Sequence, residues 1–345
     1  MQNHINKEDS FFVAGHNGMV GQAIIRTLKK SGYCNKNLGG KLIIADRNEL
    51  DLTSYEKVMS WFKIKKPNVV IIAAAKVGGI YANQKNPYNF ISENIKIAHN
   101  LIEAAWVNGV RRLLFLGSSC IYPKNSNLPI VEEELLTSSL EETNEAYAIA
   151  KITGIKLCET IRKQYNFDAI SLMPTNLYGP GDNYSDEGSH VMASLIKKFL
   201  LAKRNNLTKV VCWGSGNPLR EFLHVEDLGF ACVKSLEKWN PDYKNSPKDK
   251  NGKNLYYLNV GSNEEISIKE LALKIAALTN YDGDIIWDQS KPDGTFRKII
   301  DSSRIKTFGW EPKIPLNVGI KKVIYEIENS LDDAFDQGKS IKNFL

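Results

Sequence analysis

Apolar and polar positions along the chain fall into two textures. Short hydrophobic runs at residues 11–14, 41–45, 69–74, 113–116 and 169–173 read as strands. Between them lie longer stretches in which apolar residues return every three or four positions. In residues 94–108 this spacing puts Ile95, Ala98, Leu101, Ile102 and Ala105 on one side of a helix. The alternation predicts an α/β fold of βαβ units around a parallel sheet, and no internal repeat interrupts it. Beyond Pro174 the texture changes: a Gly-, Asp- and Asn-rich loop at 178–188 precedes a helix at 189–203. Residues 240–254, polar and broken by prolines and a glycine, read as an exposed inserted loop. A strand at 255–260 and helices at 266–279 and 316–329 follow.

The first strand runs into Gly15-His16-Asn17-Gly18-Met19-Val20-Gly21, which opens a helix. This is a G-x-x-G-x-x-G form of the dinucleotide-binding turn. Its glycines allow a tight bend and close backbone approach to a pyrophosphate, whose charge the helix N-terminus stabilises. A glycine turn without a ligand is the alternative, and the strand before it and helix after it favour the cofactor. The predicted organisation is therefore a Rossmann-type doubly wound parallel sheet, residues 1–177 with 223–262, as the NAD(P)-binding domain. A smaller mixed α/β C-terminal lobe, 178–222 with 263–345, is left for the substrate. Asp46-Arg47, closing the second strand, give a mixed answer on the cofactor. An acid there suits the ribose hydroxyls of NAD and an arginine the 2′-phosphate of NADP, so the pair is read as favouring NADP with NAD open.

Tyr147 and Lys151 stand four apart in a helical pattern and so share a face, where an ammonium can lower a phenol's pKa for proton exchange at a carbonyl. The spacing alone is cheap: Tyr81 and Lys85 repeat it, and they read as a solvated helix face. What distinguishes Tyr147 is the strand at 113–116, followed by Gly117, Ser118 and Cys120 just past its carboxyl end, where open α/β sheets gather ligands.

Composition narrows the class without naming the chemistry. With 345 residues, 43% hydrophobic and 24% charged, the chain is long enough for a large buried core. The longest apolar run, 69–75, is too short to span a bilayer, and the polar start resembles no secretory signal, so a cytoplasmic protein with no membrane association is expected. Five cysteines without C-x-x-C spacing indicate neither a disulfide framework nor a metal site. The net charge of +6 comes from scattered lysines with no basic–aromatic stripe, so no nucleic-acid partner is expected, while a basic pocket for an anionic small molecule stays open.

With glycine loop, Ser118, Tyr147 and Lys151 in order, the chain resembles the extended short-chain dehydrogenase/reductase family. The stretches at 73–80, 117–123, 174–180 and 213–218 make it similar, within that family, to the GDP-L-fucose synthases. The likeness runs from about Phe11 to Trp310, with 240–254 as the main irregularity. The resemblance implies a homodimeric, bifunctional oxidoreductase and isomerase of nucleotide-sugar metabolism. Its substrate would be a GDP-linked 4-keto-6-deoxy sugar: GDP-4-keto-6-deoxy-D-mannose is epimerised at C3 and C5, then reduced at C4 with NADPH, giving GDP-L-fucose. It also implies site residues. Cys120 and His190 take the epimerisation, with Cys120 as base and His190 as acid, beside the reductase set Ser118, Tyr147 and Lys151. Leu116, Gly117, Pro174, Asn176, Leu177 and His190 join the glycine loop around the cofactor. Lys198, Trp213, Arg220, Asp293 and Lys298 contact the substrate, Arg220 and Lys298 at its diphosphate. Asn17 departs from the pattern, standing where the family often has an arginine for the 2′-phosphate. Three other readings stay open: an enzyme for another such sugar, for example a 6-deoxyheptose; an epimerase that retains NAD; and a catalytically silent nucleotide sensor.

Overall fold

In the computed structural model, residues 3–184, 189–291 and 293–336 are described, side chains through 329. Positions 185–188 of the loop expected at 178–188, and 337–345 of the expected second lobe, lie outside them. The strands are β1 (Ser10–Ala14), β2 (Lys41–Ile43), β3 (Val69–Ile72), β4 (Arg112–Leu116), β5 (Ala169–Pro174), β6 (Asn176–Tyr178), β7 (Lys209–Trp213), β8 (Leu219–His224), β9 (Tyr257–Val260), β10 (Glu265–Ser267), β11 (Asp284–Asp288) and β12 (Arg297–Lys298). The helices are α1 (Met19–Lys30), α2 (Tyr55–Lys65), α3 (Ile80–Lys85), α4 (Pro87–Val107), α5 (Glu145–Tyr165), α6 (Val191–Arg204), α7 (Val225–Lys238), α8 (Ile268–Leu278), α9 (Ser303–Lys306) and α10 (Leu316–Asp336).

Six parallel strands form one sheet in the order β2-β1-β3-β4-β5-β9. Its strands are apolar on both faces, and the two-residue period divides them between two cores. Phe12, Val70, Ile72, Leu113 and Phe115 pack with α2, α4 and α5 residues on one side. Phe11, Val13, Val69, Ile71 and Leu114 pack with α1 and α7 residues on the other. Because β1 has β2 on one flank and β3 on the other, the chain changes direction there and opens a crevice at the carboxyl ends. A second assembly, β10-β8-β12 with β6 on β8, and the pair β11-β7 carry the remaining core around α6, α8 and α10.

Three sequence expectations shift. The helix expected at 94–108 begins at Pro87, because a proline's fixed φ and missing N–H cost nothing in a first turn. Ile266, expected to be helical, lies in β10, which pairs with β8. The helix starts after Ser267, whose hydroxyl accepts from Glu270 N while the Glu270 carboxylate accepts from Ser267 N, a reciprocal cap readable in Ser-Ile-Lys-Glu. The loop at 240–254 is anchored as well as exposed. The Arg162 guanidinium donates to the Asn240 and Asp242 side chains, and Lys250 N donates to Glu133.

Candidate active site

The glycine loop fills the crevice between β1 and β3. Gly15 has φ +88°, and a Cβ there would stand 2.7 Å from Ala74 N; a Cβ on Gly21 would stand 2.1 Å from Gly15 O. Both positions are closed to any side chain, so the turn can lie flat on the strand ends. Gly18 precedes α1 without a side-chain cap. The first N–H groups of that helix are thus left for an anion from outside, which fits the pyrophosphate of a dinucleotide.

Beyond β4, Ser118 adopts extended backbone and its hydroxyl accepts from Cys120 N at 3.4 Å, starting a single turn over Ser119–Ile121. This turn holds Cys120, buried, directly past the strand end. Tyr147 and Lys151 approach from the first turns of α5. Lys151 is 5% exposed, and its ammonium donates to Leu116 O at 2.8 Å, which ties helix to strand end. Its Nζ lies 5.7 Å from the Tyr147 ring centroid. Phe90 meets the same ring edge-on, with centroids 6.3 Å apart.

Electrostatics here run against one sequence expectation. Burial pushes the Tyr147 phenol up rather than down, and the Cys120 sulfur, when ionised, reinforces it. Lys151 itself falls to about 8, because removing an ammonium from water costs more than its neighbours return. Cys120 is also pushed up by burial, with Lys298, the Ser118 hydroxyl and Lys151 pulling it back toward thiolate. Lys298, on β12, is in turn pulled down by burial. His190 opens α6 with its side chain 46% exposed. Asp182 holds its Oδ1 3.7 Å from His190 Nδ1 and raises the imidazole's pKa against a smaller burial effect. Asp182, which also lines the cleft, was missed by sequence reading, since it stands eight residues before the histidine in the chain.

The positions expected to contact the substrate lie around the far end of the site. Arg220, on β8, is partly buried and held below the usual arginine range by desolvation, with Asp293 opposing. Asp293 accepts from Ser215 N at 2.9 Å and from Ser215 Oγ at 2.7 Å, fixing the turn after Trp213. Trp213 is 61% exposed at the end of β7, with the ammonium groups of Lys198 and Lys291 5.4 and 5.5 Å from its ring centroid. One cleft of about 2470 Å³ is lined by the glycine loop, by Ser118, Cys120, Tyr147, Lys151, Asp182 and His190, by Lys198, Trp213, Arg220, Asp293 and Lys298, and by Asp46, Arg47, Gly117, Pro174, Asn176 and Leu177. Among the described residues no His/Cys/Asp/Glu cluster with metal-binding geometry occurs, and no helix is long and apolar enough to cross a membrane.

A family model described as the NAD dependent epimerase/dehydratase family matches residues 11–246. GDP-L-fucose synthase 1 of Arabidopsis thaliana is 49% identical over 317 residues, covering 92% of this chain and 92% of the relative. GDP-L-fucose synthase of Escherichia coli K12 is 46% identical over 309 residues, covering 90% and 93%. Among solved structures, a GDP-6-OMe-4-keto-L-xylo-heptose reductase from C. jejuni superposes with a TM-score of 0.85 at 32% identity, covering 95% of this chain and 99% of that one. The chain belongs to the NAD dependent epimerase/dehydratase family and, within it, to the family of the GDP-L-fucose synthases.

Proposed function

We propose that the chain converts GDP-4-keto-6-deoxy-D-mannose to GDP-L-fucose by 3,5-epimerisation followed by NADPH-dependent 4-reduction. The observation that carries this reading is the meeting, in one cleft, of Ser118, Tyr147 and Lys151 with a second proton-transfer pair, Cys120 and His190. A redox epimerase needs only the first set. C3 and C5 both flank the C4 ketone, so loss of either proton makes an enolate oxygen, and the Ser118 and Tyr147 hydroxyls donate hydrogen bonds to it. Cys120, as thiolate, removes the proton and His190, held toward imidazolium by Asp182, returns one from the opposite face. The nicotinamide cofactor supplies a hydride to C4 when bound. Tyr147 gives its proton to the resulting alkoxide, and Lys151 orients the cofactor ribose while its ammonium favours the phenolate left behind. Arg220 pairs with the substrate diphosphate and Trp213 offers its exposed face to the base.

We further propose a cytoplasmic homodimer, on the family likeness. The test is to supply GDP-4-keto-6-deoxymannose with NADPH or NADH, follow cofactor oxidation and identify the product sugar. GDP-L-fucose is expected, and no turnover with either cofactor would sink the reading. Light scattering checks the dimer.

A further inference from the structure

The sequence sets one arginine against one acid after β2, at the corner expected to face the adenosine ribose, and the fold adds to both sides. Asp46 Oδ1 accepts from Asn17 Nδ2 at 2.7 Å and lies 3.3 Å from His16 Nε2. The carboxylate is thereby drawn onto the glycine loop by the two side chains beside which it sits. The second acid of this corner, Asp51, accepts from both the backbone N–H and the hydroxyl of Thr53, at 2.9 and 2.7 Å. Both acids are engaged by neutral donors or a histidine rather than by a lysine or arginine.

Three cations surround the same segment. Arg47 follows Asp46 directly. Lys57 stands in the first turn of α2, where its backbone N–H meets the Ser54 cap. Lys96 lies on α4 one turn before Asn100, whose amide donates to Leu52 O at 3.0 Å, so Lys96 shares the helix face that leans on residues 51–53. Arg47 and Lys57 both act on Asp51 through space, holding its carboxyl below the usual range after the Thr53 hydrogen bonds. All three cations are exposed and line the cleft, and none of them forms a direct ion pair among the described residues. Exposed cations from the turn after β2, from α2 and from α4, lining one nucleotide cleft without a direct ion pair among the described residues, match a dianion rather than a neutral diol.

We infer that Arg47, Lys57 and Lys96 form the seat of the cofactor's 2′-phosphate, replacing the arginine absent at Asn17. This rests on the NADPH reading above and names the residues that make the choice. Lys57 and Lys96 are specificity-determining residues, remote from the reacting carbons.

Calorimetric titration with two adenosine fragments tests it without substrate or turnover. The wild-type protein is expected to bind 2′,5′-ADP about tenfold or more tightly than 5′-AMP, the preference shrinking as salt rises. In Lys57→Ala/Lys96→Ala the 2′,5′-ADP affinity should fall about tenfold while 5′-AMP binding stays unchanged. Both positions are exposed, and circular dichroism verifies that the variant is folded. Equal binding of the two fragments by the wild-type protein overturns the inference, as does a double variant that keeps the full preference. Either failure leaves sugar turnover with NADH untouched, so the phosphate seat and the proposed reaction fail separately.

Discussion

Two tyrosine–lysine pairs with the same spacing lie on this chain, and their immediate geometry is nearly the same. Lys85 Nζ is 5.6 Å from the Tyr81 ring centroid, and Lys151 Nζ is 5.7 Å from that of Tyr147. Everything around them differs. Tyr81 is 56% exposed on the short helix α3, at the rim of the cleft. Lys151 is buried, bonded to a strand-end carbonyl and pulled down to about 8. The i, i+4 spacing fixes only that two side chains meet; the strand end beneath them decides whether their meeting perturbs a proton.

The comparison breaks most readily at the hydroxyls. Tyr147→Phe removes the proton donor and should lower kcat for C4 reduction by about 10²–10⁴, whereas Tyr81→Phe should leave it within about twofold. Stopped-flow cofactor oxidation measures both, and equal losses would erase the distinction between the pairs.

Cys120→Ser comes next and separates the two halves of the reaction. Solvent deuterium uptake at C3 and C5 should fall by about 10²-fold while nucleotide binding, followed by fluorescence titration, stays intact. Uptake at the wild-type rate would remove Cys120 from its role.

Lys151 also gives a pH signature. Its ammonium is charged below about 8 and lost above, so kcat/KM should fall as pH rises through about 8. Stability should run the other way. The unfolded lysine titrates near its ordinary value of about 10.5, so between pH 8 and that value the unfolded chain binds the extra proton. Stability of the cofactor-free protein therefore rises with pH across this window, and below it the full burial penalty is present. Lys151→Met should abolish the alkaline limb with most of the activity, yet raise stability at pH 7 by roughly 1 kcal/mol, read by denaturant titration. Lys85→Met should move neither.

The smallest effect concerns His190. Asp182→Asn removes the carboxylate that raises the imidazole, so the protonated histidine is lost at lower pH. Deuterium exchange at pH 7.5 should drop about threefold and recover on acidification. An unshifted profile would show that Asp182 serves only the loop.

How much of this was legible in the sequence depends on how local each feature is. The glycine loop, Ser118 and the Tyr147/Lys151 spacing are set within one turn or one strand end, and the apolar runs that place them are short and unmixed. The start of α8 after Ser267 was legible too, through the Ser267–Glu270 cap, but the apolar Ile266 masked it. What could not be read is where distant elements meet. Lys57 and Lys96 belong to different helices, and Lys96 comes to the segment at 51–53 only because α4 docks on Leu52 through Asn100. Nor does spacing show burial, which reverses the expected direction of the Tyr147 shift.

The central claim is that one cleft performs both the epimerisations and the reduction. Turnover of GDP-4-keto-6-deoxymannose with NADPH in D₂O, followed by NMR of the product, tests it directly. The account predicts GDP-L-fucose with solvent deuterium at C3 and C5, hydrogen from NADPH at C4, and one NADPH oxidised per product. A reduced sugar that keeps its original hydrogens at C3 and C5 would contradict it.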